Sequence, residues 1–186
     1  KEQKGLGDAV YCARHHINGE PFMVLLGDTV MDAPVPPAEQ LQKVYARYQA
    51  PVTLLEEVDR SRVSRYGIMD GFEVEKDIFK VRDFVEKPSV DEAPSNLVVA
   101  SRYILTADIF DYLAKTPPGK GNEIQLTDAM RMMVRDRAMY GCRLNGKRCD
   151  IGNKEGFVKT NIEFALKRND MNEDLKAYIK KLAESL

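Results

Sequence analysis

The feature that most limits what this chain can fold into is a change of apolar period that recurs along it. Phe22 to Leu26 is an unbroken apolar run of strand length, ending at Gly27-Asp28. That is the pattern of a strand covered on both faces, and it reads as a buried parallel strand. From Pro37 to Ala50 the apolar positions Leu41, Val44, Tyr45 and Tyr48 fall at helical spacing, and Pro51 breaks the pattern before a β-rich run, Val52 to Val58. Strand, helix and strand in alternation argue for an α/β sheet. A helix precedes them, with Leu6, Ala9, Val10, Ala13 and Ile17 on one face and Asn18-Gly19 as its stop.

The middle of the chain changes character. Short segments rich in Val, Ile and Phe (Tyr66 to Met69, Phe72 to Val74, Ile78 to Val85) alternate with Gly, Asp and Lys turns, which predicts a small β extension beside the main sheet. After a loop with two prolines, Leu97 to Leu105 reads as another buried strand, and Thr106 is placed to cap a helix running through Leu113. A helix over Leu126 to Arg137 puts Leu126, Ala129, Met130, Met133 and Val134 on one face, so its methionines read as core filling. Tyr140 to Leu144 is a short strand, and the tail from Glu155 to Leu186 is mostly helical with a break near Asn169 to Asn172. Residues 1–186 read as one domain with a real core.

Composition removes several classes of function. Lys and Arg number 28 against 29 Asp and Glu, so no net field favours nucleic acid or an anionic membrane. No stretch reaches the roughly 18 apolar residues that cross a bilayer. The three cysteines form no CxxC pair and lie near no His at ligand spacing, which fits reduced thiols in a cytoplasmic protein. His15 and His16 have no acidic or Cys partner at ligand spacing and are assigned structural or surface roles.

What remains is carried by scattered groups. Asp28 ends an apolar strand, where ligands of open α/β sheets collect. Asp150 follows a short β-like stretch and leads into Ile151-Gly152-Asn153. Two converging carboxylates would make a hard oxygen site suited to Mg²⁺, although an Asp before a turn is also an ordinary turn former. Glu86-Lys87-Pro88 closes a strand, and Pro88 holds Lys87 in extended or turn geometry. There the ammonium can grip a phosphate, while the carboxylate, pointing the other way, accepts from hydroxyls. Gln3, Gly5 and Gly7 precede the first helix, where an amide can read a nucleobase edge and glycines leave it room.

Seven segments, in order, resemble the motifs of bacterial UTP–glucose-1-phosphate uridylyltransferases. They are Lys1 to Ala9 (KEQKGLGDA), Val24 to Asp28 (VLLGD), Arg65 to Ile68 (RYGI), Phe84 to Pro88 (FVEKP), Ser95 to Val99 (SNLVV), Gly121 to Ala129 (GNEIQLTDA) and Asp150 to Lys154 (DIGNK). The resemblance implies a Rossmann-like three-layer α/β nucleotidyltransferase fold with a mostly parallel sheet. It implies transfer of a uridylyl group from UTP to glucose 1-phosphate, giving UDP-glucose and pyrophosphate. By the same resemblance Gln3, Gly5 and Gly7 contact uracil, Asp28 and Asp150 hold Mg²⁺, Gly67 lines the glucose site, Glu86 binds sugar hydroxyls and Lys87 the sugar phosphate. A homodimer or homotetramer is expected.

Three departures stand out. The family's Gly-rich G-x-G-T-R-x-x-P loop is absent, so the expectation is a partial domain lacking roughly 100 preceding residues and inactive as it stands. Asp8 stands where many relatives carry His, and Ser101 where many carry Gly beside the sugar. Two other readings fit the same residues: a non-catalytic regulatory relative, and a transferase using dTTP or CTP.

Overall fold

In the computed structural model, residues 3–185 are described; Lys1 and Glu2 of the opening motif and Leu186 of the tail lie outside the described residues. The chain forms two compact units, Lys1–Leu26 with Ala33–Gly146, and Gly27–Asp32 with Lys147–Leu186.

The first unit is built on a six-stranded sheet. Its strands are β1 (Phe22–Leu25), β3 (Val52–Glu57), β4 (Gly67–Glu75), β5 (Ile78–Glu86), β6 (Leu97–Leu105) and β7 (Tyr140–Arg143), in the order β1-β6-β3-β7-β5-β4. Helices α1 (Leu6–Cys12), α2 (Arg14–Ile17), α3 (Pro37–Tyr48), α4 (Ile109–Leu113) and α5 (Leu126–Asp136) accompany it. The α/β nucleotidyltransferase architecture is as expected, but the sheet is mixed and not mostly parallel. Among the described residues only β3 and β7 run parallel; β6 enters between β1 and β3 antiparallel to both. Apolar period reports burial, not the direction of a neighbour, so the alternation of strand and helix left this open. β1 pairs with β6 alone among the described residues and is half-buried, its Leu25 exposed, in place of the two-sided cover its composition suggested.

The β4–β5 hairpin is also hydrogen-bonded into this sheet, through β5 to β7 and through Ile68 opposite Val98 of β6, so it is no separate extension. Gly71 sits at a register shift in it, where an added Cβ would lie 2.4 Å from the Lys80 carbonyl oxygen. The core gathers Leu55, Met69, Phe84, Leu105, Ile109 and the inner face of α5. Leu126, Ala129, Met130 and Met133 on that face are buried at the i, i+3, i+4, i+7 spacing, confirming the methionines as filling. Thr106 supports α4 by bonding to Asp108 and does not cap it by its side chain; Asp108 is the N-cap residue. Asn18 ends α2 in the left-handed conformation, as an Asn-Gly stop should.

The second unit consists of β2 (Thr29–Asp32) paired antiparallel with β8 (Lys147–Asp150), followed by α6 (Lys154–Ala165) and α7 (Asn172–Ala183). β2 had no signature in the sequence. Lys147 and Lys167 pair with Glu163 and Asp32 on its surface, contacts of small energetic weight in solvent.

Candidate functional site

In the first unit, Gly67 opens β4 directly opposite Glu86, the last residue of β5. The first turn of α5 sets Thr127 against the same spot. An added Cβ on Gly67 would lie 2.9 Å from Thr127 Oγ1, 3.1 Å from Thr127 Cγ2 and 3.0 Å from Glu86 Oε2. Glycine is needed because a hydroxyl and a carboxylate converge on its α-carbon. Thr127 is 8% exposed, and its hydroxyl bonds to no described residue. An unbonded hydroxyl on a largely buried residue, beside a nearly buried carboxylate whose Oε2 faces the same spot, suits a polyhydroxylated ligand that can both donate and accept there. Within the Gly121 to Ala129 motif Thr127 carries no sign of its own role, since a Thr in a helix's first turn is unremarkable until Gly67 is seen beneath it.

Lys87 follows in the left-handed conformation, with φ 46°, and its N–H donates to the Tyr66 carbonyl at 3.0 Å. The turn before Pro88 was expected, but the opposed directions of Glu86 and Lys87 were not found. The strand has ended, its alternation with it, and Lys87 Nζ lies 3.6 Å from Glu86 Oε1. The ammonium therefore stands at the edge of the carboxylate's pocket.

The opening segment is held by the loop before α5: the Ile124 N–H donates to the Lys4 carbonyl at 2.7 Å, and the Gly7 N–H to the Ile124 carbonyl at 2.8 Å. Gly5 has φ 98°, and an added Cβ would lie 2.7 Å from Glu123 Cβ; one on Gly7 would lie 2.8 Å from the Ile124 oxygen. Close passage of this backbone is a sufficient reason for both glycines. Beside them is an open cavity of about 380 Å³ whose walls include Gln3, Gly5, Asp8 and Glu123. Ser101, in the middle of β6, has φ 59°, a left-handed conformation that glycine adopts without strain.

In the second unit the two acids meet. Thr29 pairs with Asp150 across β2 and β8, and the Ile151 N–H donates to the Asp28 carbonyl at 2.9 Å. Asp28 Oδ2 and Asp150 Oδ1 are each 3.3 Å from the point where a Cβ on Gly152 would stand. The Gly152 N–H donates to Asp150 Oδ1 at 2.9 Å, and Thr29 Oγ1 donates to Asp28 Oδ1 at 3.2 Å, so both carboxylates are oriented while remaining exposed. Asn153 caps α6 by accepting from the Gly156 N–H at 2.8 Å. Among the described residues no group of three or more His, Cys, Asp or Glu side chains gathers to bind a metal. Two carboxylates still fit a hard divalent ion that draws its other ligands from water and phosphate. Of the structural and surface roles open to His15 and His16, their exposure favours the surface.

Residues 1–166 match the Nucleotidyl transferase family, a class of nucleotide-transferring enzymes, and the chain belongs to it. A UTP–glucose-1-phosphate uridylyltransferase of Staphylococcus epidermidis is 48% identical over 182 residues, covering 98% of this chain. The chain spans 63% of that relative's length. A crystal structure of UDP-glucose pyrophosphorylase complexed with UDP-glucose aligns with a TM-score of 0.86 at 40% identity, covering 90% of this chain and 64% of that one. A UTP-bound enzyme of the same kind from Acinetobacter baumannii gives 0.87 at 33% identity, covering 97% and 63%. No helix among the described residues is long and apolar enough to cross a membrane.

Proposed function

We propose that this chain carries the sugar-binding and metal-binding parts of an enzyme that transfers a uridylyl group from UTP to glucose 1-phosphate, giving UDP-glucose and pyrophosphate. The observation that carries the reading is the convergence of Asp28 and Asp150 on Gly152, where two distant motifs supply one pair of carboxylates. It is supported by relatives of that name and by neighbours bound to UDP-glucose and UTP. Neither a regulatory role nor use of dTTP or CTP has an observation in its favour.

In this reading a phosphate oxygen of glucose 1-phosphate attacks the α-phosphorus of UTP, and the bond to the β-phosphate bridging oxygen breaks as pyrophosphate leaves. No protein nucleophile is required. Glu86 accepts hydrogen bonds from glucose hydroxyls, and Thr127 contributes a donor or an acceptor beside it. Lys87 offsets negative charge on the sugar phosphate, lowering the repulsion between two polyanions. Gln3 reads the uracil edge in the cavity next to Gly5 and Gly7. Asp28 and Asp150 hold Mg²⁺, in keeping with the general use of a divalent metal in this family. The ion supplies charge neutralisation of the phosphates. A cytoplasmic homo-oligomer, dimer or tetramer, belongs to the same reading.

The test is pyrophosphate release by the full-length gene product with UTP, dTTP, CTP and ATP, each with glucose 1-phosphate and Mg²⁺. UTP should give the highest kcat/KM. Equal or better turnover of dTTP or CTP would overturn the nucleotide assignment. An unchanged metal requirement in Asp28→Asn and Asp150→Asn would remove the metal site.

A further inference from the structure

Strand β5 changes phase before it reaches the pocket at Gly67. Val81 and Phe84, three residues apart, are both buried in the same core, which strict alternation along a strand forbids. The register explains it: Asp70 faces Asp83 and Gly71 faces Val81, so Arg82 is an extra residue, a β-bulge. Because Glu86 is two residues beyond Phe84, the bulge is what turns its carboxylate toward Gly67 and α5. Asp83 closes the bulge, its Oδ1 accepting from the Phe84 N–H at 2.8 Å.

The same carboxylate is gripped from α5. Arg131 Nε donates to Asp83 Oδ1 at 2.9 Å and Arg131 Nη2 to Asp83 Oδ2 at 3.0 Å, a two-pronged pair. Arg131 lies one turn after Thr127, hence on the same side of the helix. A single clamp therefore joins the point on β5 that sets the phase of Glu86 to the stretch of α5 that carries Thr127. As a contribution to stability the pair is minor, since its two side chains are 44% and 35% exposed. What the fork geometry supplies is a fixed distance and angle between helix and strand.

We propose that Arg131 and Asp83 are positioning residues of the sugar pocket, holding α5 on the β5 bulge so that the Thr127 hydroxyl and the Glu86 carboxylate meet at Gly67. Neither touches the ligand; both act through the placement of Thr127 against Glu86. The proposal rests on the uridylyl-transfer reading for its substrate, glucose 1-phosphate, and the two fail in different ways.

The test is steady-state kinetics of the full-length protein with Mg²⁺, varying glucose 1-phosphate and UTP separately, with circular dichroism to verify folding. Arg131→Ala should raise KM for glucose 1-phosphate roughly tenfold, the order expected of a sub-ångström misplacement, and leave KM for UTP within about twofold. Arg131→Lys keeps the charge but not the fork, and should raise KM for glucose 1-phosphate by about threefold or more. In a Thr127→Ala background Arg131→Ala should add less than about twofold, because α5 then has no hydroxyl to place. Arg82→Ala breaks the neighbouring pair with Asp70, at 2.8 Å, which does not involve α5, and should leave both KM values as in wild type. The proposal is overturned by an unmoved KM in Arg131→Ala, by an equal rise for both substrates, by a full effect in the Thr127→Ala background, or by an equal effect of Arg82→Ala. A wild type that releases no pyrophosphate from UTP with glucose 1-phosphate refutes the transfer reading and takes the proposal with it. An active wild type whose Arg131 variants behave normally refutes the proposal alone.

Discussion

Replacing Gly67 with alanine tests whether the hydroxyl of Thr127 and the carboxylate of Glu86 form one pocket. The new methyl would meet three atoms at 2.9, 3.0 and 3.1 Å, each closer than an ordinary contact. All three belong to side chains and can yield, but Thr127 is anchored in the first turn of α5, between the buried Leu126 and Ala129. Overpacking of this kind costs about 1–3 kcal/mol. The lower chain entropy of alanine in the unfolded state returns about 0.5–1 kcal/mol, for a net loss of roughly 1–2 kcal/mol, readable as a lower urea midpoint. In the full-length enzyme the displaced carboxylate should also raise KM for glucose 1-phosphate and lower kcat/KM by roughly 10- to 100-fold, since an ångström of misplacement is felt at that level. Thr127→Ala removes two of the three crowding atoms. The Gly67→Ala penalty should therefore shrink by about 1 kcal/mol or more in that background. Additivity of the two substitutions within about 0.5 kcal/mol would refute the shared pocket, as would a Gly67→Ala protein with the stability and KM of wild type.

Other expectations follow from single contacts. Gly156→Ala would set a methyl 2.0 Å from the Asp150 carbonyl oxygen, so the backbone must shift; it should cost more stability than Asn153→Ala, which removes only the α6 cap at about 1 kcal/mol. Equal urea midpoints for the two variants would contradict this. Burial raises the Asp128 carboxyl above its ordinary range, with Arg131 partly opposing it. Such an acid holds its proton more tightly when folded, so its contribution is full below the unfolded Asp pKa and is lost as pH rises through the raised value. Asp128→Asn should accordingly raise the melting temperature near pH 7 and give no gain near about pH 3; a gain independent of pH would be inconsistent. Of the three thiols, Cys12 is exposed while Cys142 and Cys149 are buried, and burial, aided by Asp77, pushes Cys142 up to about 11. Native protein should react with Ellman's reagent at Cys12 only, and the buried pair only after denaturant is added.

Local pattern carried much of the architecture. The spans of α3, α5, β3 and β6 follow the sequence periods closely because each period records which side of an element is dry. The candidate acids, the Glu86-Lys87 pair and Gly67 were legible as motifs. Thr127 lies within the Gly121 to Ala129 motif, but its place beside Gly67 was not legible, since that depends on a strand distant in sequence. Likewise β2 carries too short and mixed a run, Thr-Val-Met-Asp, to announce itself, and it exists as a strand through its pairing with β8.

The sequence by itself determined which segments are helix or strand, which faces are apolar, and which residues have the chemistry to grip a metal, a phosphate or a hydroxyl. Tertiary structure alone decided that β6 runs antiparallel between β1 and β3, that Asp28 and Asp150 share Gly152, and that Thr127 stands over Gly67. The reason is physical. Side-chain period is a property of neighbours along the chain, whereas a strand's backbone hydrogen bonds can be satisfied by any compatible edge, and only packing of the whole unit selects which one.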